Sequence, residues 1–75
     1  MERTICTVTD IEKLFAERLK TLRESQRLTQ DELAEKAGIS RVVLNYYERG
    51  TRSPQLKMIV LLANALGVPV VKLLQ

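Results

Sequence analysis

Apolar residues recur along this chain at the three- and four-residue spacing of helices. Ile11, Leu14, Phe15, Leu19 and Leu22 form one stripe, which predicts a first helix over about residues 11–26 with Asp10 as its cap. Glu12, Lys13, Glu17, Lys20 and Glu24 fall on the opposite, solvated side. Leu28 then stands as a hydrophobic staple before Thr29, and Glu32, three residues after Thr29, completes a capping box. The helix opened there, about residues 30–37, puts Leu33, Ala34 and Ala37 on one face and Asp31, Glu35 and Lys36 on the others. Gly38 is placed to end it in the left-handed conformation, and Ile39 points inward. Ser40 caps a third helix that runs to about Glu48 and stops at Gly50. Ser53 caps a fourth, with Pro54 at its first position, ending at Leu66 before Gly67. A short fifth helix, about residues 70–74, follows Pro69. Residues 1–9 are β-branched without a helical period, so they are expected to be a poorly ordered arm or a short extended segment, and residues 10–75 one all-α domain.

The second and third helices have the residues needed to cross at a steep angle. Ala34 is small where they touch, Gly38 lies at the bend, and Leu33, Ala37, Ile39, Leu44 and Tyr47 supply a shared core. That is the pattern of a helix-turn-helix, whose second helix lies in the major groove of DNA. On that helix Arg41, Val42, Asn45 and Tyr46 face away from the core, with Ser40 at the tip. Arg41 suits a guanine edge, Asn45 an adenine and Val42 a thymine methyl, while Tyr46 brings a ring and a hydroxyl. Val42 and Tyr46 could instead pack on neighbouring helices. Gln30, at the start of the preceding helix, sits where a side chain and open backbone N–H groups can hold a phosphate. Arg49, Thr51 and Arg52 offer a second phosphate-binding place, or else solvated charge.

Three segments in order, LTQDELAEKAGIS, YERGTRSP and LANALGVPVVKLL, extend this pattern over about residues 15–74. In them the chain resembles the Cro/C1-type (XRE) helix-turn-helix family of phage and bacterial repressors. The resemblance implies a compact five-helix lambda-repressor-like domain, with Ser40, Arg41, Val42, Asn45 and Tyr46 at the base-reading positions. It implies that Gln30 touches the DNA backbone and can brace the reading helix. It also implies an ion pair between Arg23, near the end of the first helix, and Glu48, near the end of the reading helix, which would make both residues structural. The expected function is sequence-specific binding of double-stranded DNA by a small transcriptional repressor, bacterial or phage-encoded and held at the nucleoid through DNA.

Charge sharpens this expectation. Residues 1–40 carry 7 Lys/Arg against 8 Asp/Glu, a balance of −1, whereas residues 41–75 carry 5 against 1, a balance of +4. Arg41, Arg49, Arg52 and Lys57 cluster around the reading helix and the loop after it, as a phosphate-binding face requires. Cys6 is the one cysteine, so no intramolecular disulfide can form and a reducing cytoplasm is the expected compartment. No membrane span or signal-peptide pattern is present.

Two features depart from the resembled family. The reading helix is unusually apolar and aromatic through Val42, Val43, Tyr46 and Tyr47. The run Met58 to Ala63 is apolar on every side, although Ile59, Leu62, Ala63 and Leu66 suffice for a core face. The surplus residues Val60 or Leu61, with Val71 and Leu74, predict a homodimer interface that would set two reading helices about 34 Å apart, over an inverted repeat. The competing readings are that these residues enlarge the core, or that the chain is an antitoxin-like adaptor whose main partner is a protein. An enzyme is not expected: there is no His, no metal-binding spacing and no Gly-rich phosphate loop. No cofactor, metal or small-molecule ligand is expected either.

Overall fold

The computed structural model describes residues 8–74, which form five helices and no strand. They are α1 (Val8–Ser25), α2 (Gln30–Ala37), α3 (Arg41–Arg49), α4 (Leu56–Leu66) and α5 (Val71–Leu74). Helix α1 packs against α3 and α5, and α2 packs against α3 and α4, so α1 and α2 close the bundle from two sides. Phe15, Leu19, Leu33, Leu44, Leu62 and Leu73, at least one from each helix, are the fully buried side chains at the centre. Apart from Phe15 and Tyr47 the buried core is aliphatic, and truncation of any of its fully buried residues is costly, about 2–5 kcal/mol for a Leu→Ala change.

Local chemistry accounts for most of the boundaries. Thr29 has extended backbone angles and accepts the Glu32 N–H at 3.1 Å, while its own N–H donates to Glu32 Oε1 at 2.8 Å. Both halves of the capping box are therefore made, contributing about 1 kcal/mol. Gly38 adopts φ +75°, and the Ile39 N–H closes back on Ala34 O at 3.0 Å, so α2 stops and the chain turns within three residues. Ser40 Oγ accepts the Val43 N–H at 3.1 Å and starts α3.

Four expectations need correction. Helix α1 begins at Val8, so Asp10 lies inside its first turn, where its charge suits the helix dipole, and residues 8 and 9 belong to the helix. The remainder of the expected arm, residues 1–7 with Cys6, lies outside the described residues. Ser53 does not cap α4: its hydroxyl donates to the Glu12 carboxylate of α1, and α4 starts at Leu56 after Gln55, which makes no side-chain cap bond. Long-range pairing has outcompeted the local cap. Helix α5 starts one residue late, at Val71.

The glycines end α2, α3 and α4, but α1 ends without one. Arg27 takes the left-handed conformation there, at φ 59°, with the Leu28 N–H on Arg23 O at 3.1 Å. A side chain in this region is strained by about 1–2 kcal/mol. Beside it, Gln26 Nε2 donates to Leu66 O at 2.6 Å, satisfying a carbonyl at the end of α4 and tying the α1–α2 corner to it.

Candidate nucleic-acid interface

Helix α3 is anchored on its inner side by apolar packing. Leu44 is fully buried, and Tyr47 meets Phe15 of α1 edge-on, with ring centroids 6.4 Å apart at 78°. Ala16, absent from the expected core stripe, is buried under the end of α3, where a larger residue would keep Gly50 away from α1.

Glu48 anchors the same helix by charge. Its side chain is 3% exposed and that of Arg23 12%. Arg23 Nε donates to Glu48 Oε2 at 2.6 Å and Nη2 to Oε1 at 3.1 Å, while Nη1 donates to Leu28 O at 2.7 Å. Gln30 Nε2 adds a third bond to Glu48, to Oε1 at 3.1 Å. The bonds from Arg23 and Gln30 thus join α1, α2 and the end of α3. Charge-assisted bonds to Glu48, and its nearby negative charge, raise the Arg23 pKa, against burial, which lowers it.

The outer face of α3 stays open. Arg41 and Val42 are exposed, Val42 by 53%, and Asn45 and Tyr46 are half-buried. Ser40 is exposed at the tip, its oxygen engaged as the cap. Val43 is half-buried and packs against the core. Arg49, Thr51 and Arg52 are exposed at the far end. Thr51 Oγ1 donates to Tyr46 O at 3.2 Å, and the Arg52 guanidinium lies 5.0 Å from the centre of the Tyr46 ring. The expected base-reading and phosphate-binding residues therefore share one surface, except Gln30, whose amide N–H group is turned toward Glu48.

One neighbour on this surface was not singled out by sequence reasoning. Arg41 Nε lies 3.3 Å from Asp31 Oδ1, in the first turn of α2. Asp31 reads in sequence as a solvated helix charge, and only the crossing of α2 and α3 brings it to Arg41. Among the described residues, no group of three His, Cys, Asp or Glu could hold a metal ion, and no helix is long and apolar enough to cross a membrane.

Residues 19–73 match the helix-turn-helix family of Cro/C1 type. The chain belongs to this family. Its relatives include the control protein C.SmaI of Serratia marcescens, 37% identical over 65 residues that cover 87% of this chain and 77% of that protein. Among solved structures, the restriction-modification controller C.AhdI of Aeromonas hydrophila superposes with a TM-score of 0.81 at 35% identity, covering 83% of this chain and 94% of that one. The restriction-modification controller C.Esp1396I, solved as a tetramer on its natural 35 base-pair operator, superposes with a TM-score of 0.79 at 25% identity, covering 84% and 83%. The chain spans only about half the length of other curated relatives, 47% and 54% of two of them.

Proposed function

We propose that this protein is a sequence-specific double-stranded DNA-binding transcriptional regulator, a small repressor that works by binding and not by catalysis, in a bacterial or phage-infected cytoplasm. The observation that carries this reading is the two-sidedness of α3. Its inner side is held by Leu44, Tyr47 and the Glu48 bonds, while its outer side presents Arg41, Val42, Asn45 and Tyr46 with Arg49 and Arg52 beside them. A rigid helix with an open donor face is what major-groove reading needs. Arg41 takes a guanine edge and Asn45 an adenine; Val42 and Tyr46 meet thymine methyls and sugar. Arg49, Thr51 and Arg52 hold phosphates. Gln30 acts mainly by bracing Glu48, with its backbone N–H toward the DNA.

The protein works as a homodimer through α4 and α5. Leu56, Val60, Val71 and Leu74 are large apolar side chains 73%, 39%, 52% and 40% exposed, and Leu61 is half-buried beside them. Leu56, one turn before Val60 on α4, joins the residues expected from sequence. The assembly of C.Esp1396I on its operator supports pairing of this kind. The same apolar face favours a second reading, an antitoxin-like adaptor whose main partner is another protein.

The test is selection of bound duplexes from a random pool at near-physiological salt. An enriched inverted repeat with half-sites about 10 bp apart is expected. A lone half-site would remove the dimer, and no enriched motif would leave the adaptor reading in possession.

A further inference from the structure

We propose that Asp31 is a specificity-determining residue that positions Arg41 for base reading; this rests on the DNA-binding function proposed above. Arg41 must choose, in any complex, between base edges and the far more numerous phosphate oxygens. A free arginine on a long stem serves a phosphate as readily as a guanine. Here the choice is biased by a carboxylate 3.3 Å from Arg41 Nε. Guanidinium carries five N–H donors in a fixed plane. A carboxylate beside Nε favours side-chain positions in which the two Nη groups stay free, and two such donors can pair with guanine O6 and N7 together.

The location of Asp31 adds a second argument. It follows Gln30 directly at the start of α2, the end of that helix that approaches the DNA backbone in the proposed complex. A carboxylate there repels phosphate and lowers overall affinity. A residue that weakens binding to every sequence alike, while orienting the residue that distinguishes them, raises the ratio of specific to non-specific binding. Helix α2 alone does not require it: Glu32 completes the capping box in the same turn. The pair is exposed, with Arg41 and Asp31 side chains 55% and 77% accessible, so in the unbound protein it adds little to folding and its effect is felt in the complex.

The experiment is a comparison of wild type, Asp31→Asn, Asp31→Glu, Arg41→Ala and the Asp31→Asn/Arg41→Ala double variant on the selected operator, its single-base variants and random duplex. Thermal unfolding confirms that each variant is folded. Asp31→Asn is expected to bind random duplex about three- to tenfold more tightly, and to lose about five- to tenfold of the preference for guanine at one position per half-site, the position that Arg41→Ala also relaxes. Asp31→Glu, which keeps the charge, should keep most of that preference. In the Arg41→Ala background, Asp31→Asn should change no base preference further. Unchanged base preference in Asp31→Asn, or an equal loss with and without Arg41, would overturn the proposal while leaving the DNA-binding function standing. If wild type enriches no motif at all, it is the DNA-binding function that fails, and the role of Asp31 falls with it.

Discussion

Arg23 and Glu48, 25 residues apart in sequence, are joined by two hydrogen bonds of 2.6 and 3.1 Å in a partly buried site. The pair turns the end of α1 into a mount for α3. Burying two charges is expensive, so such a pair gives little net stability over apolar residues of the same shape, but it penalises losing either partner. Its value lies in direction: two parallel bonds fix the guanidinium and carboxylate in one plane, and α3 with them.

Arg23→Ala should therefore destabilise the fold by about 3 kcal/mol, the low end for breaking a buried pair, because it leaves the Glu48 carboxylate with only the Gln30 bond. Replacing both partners, Arg23→Leu with Glu48→Leu, should recover most of that loss in urea unfolding while DNA affinity stays low. Equal, additive losses in the double variant would mean that the two residues do not act as a pair. The pH dependence has a definite sign. The Arg23 pKa is raised in the folded state, so its contribution is fully present below the ordinary arginine range and is lost only as pH rises through the raised value. Unfolding free energy measured between pH 7 and 10 should show no decline that Arg23→Ala abolishes.

Gln30→Ala removes the third bond to Glu48. Arg23 still satisfies the carboxylate, so the cost to stability should be about 1 kcal/mol, well below that of Arg23→Ala. DNA affinity should fall by more than the stability change suggests, since the end of α3 that carries Glu48 loses its hydrogen bond to α2. Unaltered affinity on a filter or anisotropy titration would show that the brace has no part in binding.

Arg27→Gly should stabilise the protein. The strain of a left-handed side chain is relieved, about 1–2 kcal/mol, and the added freedom of the unfolded chain returns about 0.5–1 kcal/mol. A net gain of about 0.5–1 kcal/mol in chemical denaturation is expected. A loss would mean that the Arg27 side chain contributes more to the folded state than its strain costs.

Arg49→Ala and Arg52→Ala address the phosphate contacts. Each should reduce the magnitude of the slope of log affinity against log salt by about 0.9, weakening all sequences alike. Arg52→Ala also uncovers the Tyr46 ring, so it should in addition alter preference at the base that Tyr46 meets. Salt slopes equal to wild type in both variants would place these cations in solvent.

Val60→Glu, at the centre of the apolar side of α4, should leave the monomer folded and weaken self-association at least about tenfold in sedimentation. Operator binding should weaken with it, at an unchanged salt slope. A protein already monomeric before substitution would assign this face to another partner.

Much of this molecule is written in local chemistry. Thr29 with Glu32, Ser40, and the glycines at 38, 50 and 67 mark helix ends because capping needs particular groups within three or four residues, a range that sequence exposes directly. The apolar stripes predict Phe15, Leu19, Leu33, Leu44 and Leu62 as core for the same reason. The pairing of Arg23 with Glu48 came from family resemblance and not from any local signal. The misreadings arise where distant groups compete for a residue whose local role looks settled. Ser53 has the chemistry of a cap, yet its hydroxyl goes to Glu12, 41 positions away. Arg27 occupies a glycine's place because the α1–α2 corner is fastened on both sides, by Arg23 to Leu28 and by Gln26 to Leu66. Asp31 reads as one more solvated helix charge until α2 crosses α3 and sets it against Arg41. Periodicity and capping act over one helical turn and survive translation into a linear code; the partners of long, flexible polar side chains depend on helix crossings, and those exist only once the core has packed.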